Sequence, residues 1–333
     1  MLKVIFVIIG TLIGAGFASG REIYVFFTQY GKMGLLGIII TGIITGVIIY
    51  RVLTIVKTYE IFNYNKLLER INWKYQRTNK LINFIVNSFL LISFYIMVAG
   101  FSAYLNQSYR VNSYLSSTLF AIICYLIFKK NIEGVIKVNE ILVPILLIFI
   151  IFLGIKNLPF IITKKDLIQT ATNSNYFLIS SLLYASYNSI VLIPVLTGLR
   201  NYLTNKKQII RISIICSFTI VLLAALIYAL LLRDTFFISQ LEMPLIEITM
   251  QFGKAFKYIY GFVIIASIFT SAISTGYSFL KNITKSKDGY NAALLLICIS
   301  SIFISNIGFS KLVETLYPIF GLLGLIQIFL LFR

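Results

Sequence analysis

The chain has 333 residues, of which 59% are hydrophobic and only 12% are charged. Soluble domains carry about a quarter charged residues, so this composition excludes a soluble globular domain and indicates a polytopic membrane protein. The net charge of +18 does not indicate a nucleic-acid partner, because the basic residues lie in short tracts between apolar segments. The sequence contains no histidine, which removes the commonest zinc ligand and the usual general base near neutral pH.

Apolar segments recur along the whole chain. A helix needs about 20 mostly apolar residues to cross the hydrocarbon of a bilayer, and this rule predicts an all-α membrane protein with about ten spans in one transmembrane domain, residues 1–333. Most Lys and Arg residues fall in alternate connections, so we expect both termini in the cytoplasm of a bacterium and the chain in its inner membrane. The predicted spans are 3–29, 33–54, 81–106, 113–129, 136–157, 175–199, 208–232, 254–280, 290–306 and 311–332.

Two connections are long enough to hold structure of their own. The inner linker 55–80 mixes apolar residues such as Leu67 and Leu68 with basic ones, which predicts an amphipathic helix on the inner leaflet; a partner-binding role is the alternative. The outer loop 234–253 contains Pro244 between two glutamates, and we expect it to be a re-entrant or capping loop over an outer vestibule.

The first span contains the unusual stretch GTLIGAGFASGREI, residues 10–23. Its glycines have GxxxG spacings, which are typical of close helix packing. Arg21 and Glu22, however, lie deep in the span, and ionisable groups at such depth indicate a functional site. Non-helical backbone at membrane depth is tolerated only where it is buried or lines a cavity. The stretch therefore predicts a broken helix whose freed carbonyls and amides serve a solute or ion.

Two later spans carry polar centres. The sixth span, FLISSLLYASYNSIVLIP, contains seven hydroxyl or amide side chains, and in an inverted-repeat fold it should be broken like the first. The eighth span contains IFTSAISTGYSF, in which Ser271, Ser274 and Thr275 share one helix face. Hydroxyl oxygens on one face suit a hard cation such as sodium, although small residues also serve helix packing.

The first-span stretch resembles the signature of the YkvI-type bacterial membrane proteins, G-T-x-I-G-A-G-F-A-S-G-x-E-I. That family is grouped with the amino-acid permeases of the amino acid–polyamine–organocation superfamily. The resemblance implies a LeuT-like fold with alternating access and a 5+5 inverted repeat, its halves at about 1–157 and 175–332. It also implies that the first and sixth spans are broken at the substrate site.

The resemblance also implies site residues by position. Sodium-coupled members would bind sodium, the one cofactor implied, at positions matching Gly10, Thr11, Ile13, Gly14, Thr270, Ser271 and Ser274. The substrate's carboxylate and amine would meet Gly14, Ala15, Gly16 and Phe17, and the pocket would be completed by Tyr184, Ser186, Tyr187 and Asn188. By looser analogy, Tyr95 and Ser102 of the third span would close it.

Proton coupling is a rival to sodium coupling. Lys137, at the start of the fifth span, matches a position where some proton-coupled relatives place a lysine ammonium; alternatively, it extends to the inner interface. Glu22, Glu140 and Glu314 are the other candidates for proton exchange.

A secondary transporter of a small zwitterion, an amino acid, is the leading hypothesis for the function. A membrane sensor that binds an amino acid without moving it is the alternative. An enzyme is disfavoured because the carboxylates are dispersed and no H-E-x-x-H or G-x-S-x-G motif occurs. The expected partners are the small solute and the lipid bilayer.

Overall fold

A computed structural model of the chain describes residues 1–62, 64–71, 76–129, 144–157, 174–232, 238, 240–284 and 286–333. Regular structure in these ranges is helical, as the composition predicted. The α-helices are, in chain order, α1 Leu2–Leu12, α2 Ala15–Ser19, α3 Arg21–Phe26, α4 Lys32–Thr58, α5 Tyr64–Ile71, α6 Gln76–Tyr109, α7 Ser113–Lys129, α8 Pro144–Asn157, α9 Phe177–Thr197, α10 Lys206–Leu231, α11 Pro244–Met250, α12 Lys254–Ile283, α13 Lys287–Ser305 and α14 Phe309–Phe332. Short 3-10 turns occupy Thr28–Tyr30, Ser174–Tyr176 and Arg200–Tyr202.

Seven helices of the described part are long and apolar enough to cross a membrane: α4, α6, α9, α10, α12, α13 and α14. Shorter apolar helices are α1, α7 and α8, so ten spans stays a prediction. Large apolar side chains point outward on this bundle, for example Phe84 at 69% and Phe218 at 66% exposure. Apolar surface of this kind is stable against lipid tails rather than water, in agreement with a membrane protein.

The first span is interrupted at Ile13 and Gly14, as the glycine-rich stretch predicted, and it is interrupted a second time at Gly20. Ile13 and Gly14 leave the helix after α1, with Gly14 in an extended conformation at φ −83° and ψ −177°. This conformation is open to any residue, so the first interruption does not itself require glycine. The second interruption is at Gly20, whose φ of +83° lies in the left-handed region, where a side chain is strained.

The sixth span is not broken, and on this point the sequence prediction was wrong. The helix α9 is continuous from Phe177 to Thr197. Several of its polar side chains bond to carbonyls of the same helix, as when Ser181 donates to Phe177 at 2.6 Å and Asn188 donates to Tyr184 at 2.9 Å. Hydroxyls and amides satisfied in this way need no break in the backbone. The 5+5 repeat also stays a prediction.

Helix α9 lies at the centre of the bundle, packed against α4 and α14. Glycines on α14 allow its close approach: a Cβ added at Gly321 would lie 2.7 Å from the carbonyl oxygen of Leu183. Thr41 of α4 donates to the carbonyl of Ser181 at 3.1 Å. Small residues and interhelical hydrogen bonds are the usual means of helix association in membranes, and here they fix the helix that carries much of the site.

The inner linker 55–80 contains the predicted helix, but two apolar side chains of this helix pack against the bundle instead of facing outward. Leu67 and Leu68 of α5 are buried against the bundle at 0% and 1% exposure. In addition, the side-chain amide of Gln327 donates to the hydroxyl of Tyr64 at 2.7 Å. Leu67 and Leu68 are therefore covered by protein, and the position of the helix on the inner leaflet stays a prediction.

The described part of the outer loop 234–253 folds over the bundle as a cap. It forms α11, and Met243 just before this helix is held by Gln107 of α6. The amide of Met243 donates to the Gln107 side chain at 3.0 Å, and its carbonyl accepts from the same side chain at 3.2 Å. The loop thus has a fixed position against α6.

We predict that Gly321→Ala destabilises the protein although alanine is the better helix former by about 1 kcal/mol. The added methyl meets a backbone carbonyl that cannot rotate away, and such overpacking costs about 1–3 kcal/mol. Gly14→Ala is the matched control, because a Cβ there has no atom within 4 Å. Thermal unfolding of the purified protein checks both changes; a melting temperature that rises in Gly321→Ala contradicts this packing.

Candidate functional site

A cavity of about 480 Å³ lies beside the interruption of the first span. The helices α1, α6, α9 and α12 each contribute three or more lining residues, α3, α8 and α14 contribute one each, and the unwound segment after α1 completes the lining. The lining residues are Phe6, Val7, Gly10, Thr11, Leu12, Ile13, Gly14, Glu22, Phe89, Ser93, Met97, Leu146, Tyr187, Asn188, Val191, Val195, Val263, Ser267, Thr270, Ser271, Ser274, Thr275, Ser278 and Tyr317.

The cavity is closed at one end and open at the other. Glu22, at the closed end, is 3% exposed, whereas Ser274 of α12 is exposed. The lining continues from Glu22 toward Phe6 near the N-terminus and Ser278 near the end of α12. The opening is therefore on the side of the molecule where the chain begins.

Backbone carbonyls at the end of α1 form one wall. The last regular bond of this helix is from the amide of Ile13 to the carbonyl of Ile9, at 2.9 Å. The four carbonyls that follow Ile9, those of residues 10–13, therefore have no donor from a further helical turn. The end of a helix also carries the negative pole of its dipole, so this wall attracts a cation or a hydrogen-bond donor.

Hydroxyl side chains of α12 line the opposite wall. Ser267, Ser271, Ser274 and Ser278 recur every three or four residues and share one helix face. Thr270 donates its hydroxyl to the carbonyls of Ala266 and Ser267, both at 3.1 Å. A hydroxyl that donates to its own helix still has lone pairs that accept from a ligand.

Glu22 is the charged side chain of the cavity lining in the described part of the chain. Its carboxylate accepts hydrogen bonds from the hydroxyls of Tyr187 and Tyr184, the latter at 3.3 Å, and from the backbone amide of Phe17. Tyr187 is itself held by ring stacking on Tyr317, with centroids 4.6 Å apart. A carboxylate is thus fixed at the closed end by donors from α2 and α9.

Gly16 is what allows Glu22 to occupy this position. A Cβ on Gly16 would overlap the carboxylate of Glu22, because the side chain folds back over the glycine Cα. The left-handed turn at Gly20 brings α3 back over α2. Two glycines of the predicted stretch are therefore required for different reasons. Gly20 adopts the left-handed turn, and Gly16 leaves room for the carboxylate of Glu22.

An ion pair covers the closed end on the side away from the opening. The guanidinium of Arg21 pairs with the carboxylate of Glu314 on α14 and donates to the carbonyl of Leu241 at 3.2 Å. Just beyond, Glu242 accepts from the amide of Ser310 at 2.6 Å. The interactions join the first span, the capping loop and α14, which seals the cavity on this side.

Most of the predicted site residues meet at this cavity. Its lining includes Gly10, Thr11, Ile13, Gly14, Glu22, Tyr187, Asn188, Thr270, Ser271 and Ser274. A narrow adjoining gap is lined by Phe17 and Tyr184. Ala15 and Gly16 are buried in α2 and do not contribute to the lining. The roles assigned to all of these residues by resemblance stay predictions.

Three predicted pocket residues lie elsewhere, which corrects their assignment, and the proton-exchange candidate Glu314 also lies outside the cavity lining. Tyr95 shares a hydrogen bond with Ser300 at 2.7 Å, and Ser102 donates to the carbonyl of Ser113 at 3.0 Å; both lie on faces of α6 turned to other helices. Ser186 packs against Gly324 of α14, and Glu314 is in the ion pair with Arg21. Lys137 and Glu140 lie outside the described residues.

Sequence reasoning missed Ser93 as a lining residue. Phe89, Ser93 and Met97 recur every four residues on the α6 face that borders the cavity. The hydroxyl oxygen of Ser93 is buried and has no hydrogen-bond partner among the described residues. The signal was a lone serine within an apolar run, but only the orientation of α6 distinguishes this face from that of Tyr95.

The chain is similar to two proteins of Bacillus subtilis (strain 168) over nearly its whole length. It is 26% identical to the uncharacterized membrane protein YkvI over 327 residues, which cover 96% of this chain and 92% of YkvI. It is 25% identical to the uncharacterized protein YyaD, covering 97% of this chain and 94% of YyaD. The resemblance to YkvI-type proteins is thereby confirmed. No protein-family model matches the chain.

Solved transporter structures share the fold. The crystal structure of MhsT in complex with L-phenylalanine has a TM-score of 0.71 at 16% identity, covering 97% of this chain and 87% of MhsT. A mutant manganese transporter of Eremococcus coleocola has a TM-score of 0.63 at 15% identity, covering 99% and 78%. A Na+-coupled sialic acid symporter has a TM-score of 0.56 at 14% identity, covering 96% and 74%. The chain therefore has the LeuT-like fold.

We predict that Tyr187→Phe destabilises the protein by about 1–3 kcal/mol, because a buried carboxylate loses a hydrogen-bond donor. In a Glu22→Gln background, the same change should cost clearly less, since the acceptor is no longer charged. Tyr260→Phe is the control: it removes a buried hydroxyl that donates to the neutral carbonyl of Ala18 at 2.6 Å. Thermal unfolding of the wild type, Tyr187→Phe, Glu22→Gln and the double variant forms a double-mutant cycle. Equal costs in both backgrounds contradict the contact.

Proposed function

We propose that this protein is a secondary transporter that moves a small zwitterionic solute, an amino acid, by alternating access. The observation that carries the proposal is a cavity at the interrupted first span that is closed at Glu22 and open at Ser274. A site that is accessible from one side only and is lined by several helices is what alternating access requires.

The fold neighbours support transport, although they carry different solutes. MhsT was crystallised with L-phenylalanine, and the other two neighbours are named for manganese and sialic acid. The fold alone therefore leaves the substrate open, and the lining must select it. Here the lining combines Glu22, carbonyls of α1 and hydroxyls of α12 with apolar side chains such as Phe89 and Val263. These groups suit a small organic molecule with one polar and one apolar end.

The position of the closed end indicates which side of the cavity must open in the next conformational step. With the N-terminus in the cytoplasm, as the charge distribution predicts, the structure is inward-facing. Opening on the other side requires α3 to part from α14, and the Arg21–Glu314 pair and the bond to Leu241 are the polar contacts that resist this step. The side chain of Glu314 is 42% exposed, so water can solvate its carboxylate when the pair with Arg21 separates.

Two coupling schemes remain as proposals. In the sodium scheme, carbonyls near Gly10 and Ile13 and the hydroxyls of Ser271 and Ser274 supply oxygen ligands, which all border one cavity. In the proton scheme, Glu22 exchanges the proton.

Counterflow in proteoliposomes tests the proposed function. We predict that vesicles loaded with one of the twenty amino acids accumulate the same labelled compound from outside for at least one of them. A sodium gradient should increase net uptake in the sodium scheme, whereas a pH gradient without sodium should do so in the proton scheme. An amino acid that stabilises the protein but gives no counterflow contradicts transport and favours the sensor alternative.

The outer ion pair generates a separate prediction. In Glu314→Gln, loss of the charge should increase the population that is open on the outer side. A Ser271→Cys reporter measures this, because Ser271 lines the cavity and the native cysteines Cys124, Cys216 and Cys298 are buried. A membrane-impermeant thiol reagent should label the reporter from the N-terminal side in both proteins, and several-fold faster from the outer side in Glu314→Gln. Identical outer labelling contradicts the closure.

A further inference from the structure

We propose that Glu22 is the receptor for the ammonium group of the transported solute, so that the site selects primary amines and does not require a carboxylate. This inference rests on the proposed function for the location of the site. It goes beyond it by naming the chemical group that the site recognises.

Among the described residues, the surroundings of Glu22 supply hydrogen-bond donors without a counter-charge. Within α3, the neighbouring Arg21 is directed to Glu314 and Leu241. From α9 the facing titratable groups are the hydroxyls of Tyr184 and Tyr187, and from α14 it is Tyr317. These phenols stabilise the carboxylate as dipoles. A cation from the cavity would supply the opposite charge.

The carboxylate also has capacity for one more donor. An ionised carboxylate offers about four acceptor positions. Three are used by Tyr184, Tyr187 and the amide of Phe17. Since Glu22 lines the cavity, the remaining position is available to a donor on the solute.

The C-terminal end of α1 adds partial negative charge to the cavity that Glu22 lines. The carbonyls of residues 10–13 have no donor from a further helical turn, and they lie at the negative pole of the helix. An ammonium group has three N–H donors, one for Glu22 and two for such carbonyls. A carboxylate placed here would instead meet a fixed negative charge and the oxygen pole of a helix.

The rest of the cavity suits the remainder of an amine. Phe89, Met97 and Val263 give it an apolar wall, and the volume of about 480 Å³ accommodates a small organic side chain. Ser93 adds a buried hydroxyl without a partner among the described residues, which can meet a single polar group. The lining thus matches a solute with a cationic head and an apolar body.

Matched sets of three compounds test this inference. One set is leucine, 3-methylbutylamine and 4-methylpentanoate; another is phenylalanine, 2-phenylethylamine and 3-phenylpropionate. Each set shares a side chain and differs in which charged groups it carries. Thermal shift and calorimetric titration of the purified full chain are run in choline chloride and repeated in sodium chloride.

We expect at least one amine to raise the melting temperature through binding to the folded state, while its matched acid has no effect. Glu22→Gln should weaken amine binding by about thirtyfold or more, as is usual for loss of one partner of a buried charged pair. Glu69→Gln, which changes an exposed carboxylate on α5 that is not part of the cavity lining, should bind the amine with unchanged affinity.

Three results overturn the inference: stabilisation by an acid but not its amine, unchanged amine affinity in Glu22→Gln, or stabilisation of the wild type by sodium alone with no response to any amine. If Glu22→Gln does not fold, the comparison of amine with acid on the wild type still decides. A protein that binds amines without counterflow retains this inference and loses transport. Counterflow of a solute without an amino group would support transport and contradict the recognition of an ammonium group by Glu22.

Discussion

The burial of the Glu22 carboxylate is the constraint on which the rest of the site depends. An ionisable group at membrane depth is expensive unless polar partners surround it, and here the hydroxyls of Tyr184 and Tyr187 provide them. This arrangement requires the absence of a side chain at Gly16 and the left-handed turn at Gly20. The conformation of the first span is therefore set by the need to accommodate this carboxylate. The cavity lies beside Ile13 and Gly14, where the backbone leaves the helix.

The closed side of the cavity is built from polar contacts, whereas the body of the bundle is built from close helix packing. The Arg21–Glu314 pair has one partly exposed member, and exposed pairs contribute little to stability. Contacts such as that of Gly321 with Leu183 cannot separate without opening a void. A moving part held by weak polar contacts beside a firmly packed scaffold is consistent with a site that changes its accessible side.

The first and sixth spans both have polar centres, yet their backbones differ. In the first span, glycines next to a charge pair indicated an interruption, and one is present. In the sixth span, a comparable density of polar residues indicated a break, yet α9 is continuous. Ser181 and Asn188 bond to their own helix, and that choice is invisible in the sequence because the same side chains also stabilise unwound backbone.

The sequence by itself determined the membrane class, the interrupted first span and many of the polar residues that line the cavity, since apolar length, glycine and buried charge are local properties of the chain. Only the tertiary structure decided which faces meet. It turned Ser93 rather than Tyr95 toward the cavity, covered α5 with protein through Leu67 and Leu68, and separated Arg21 from Glu22 by giving each different partners. Such outcomes depend on helix rotation and long-range contacts, which no spacing along one chain encodes.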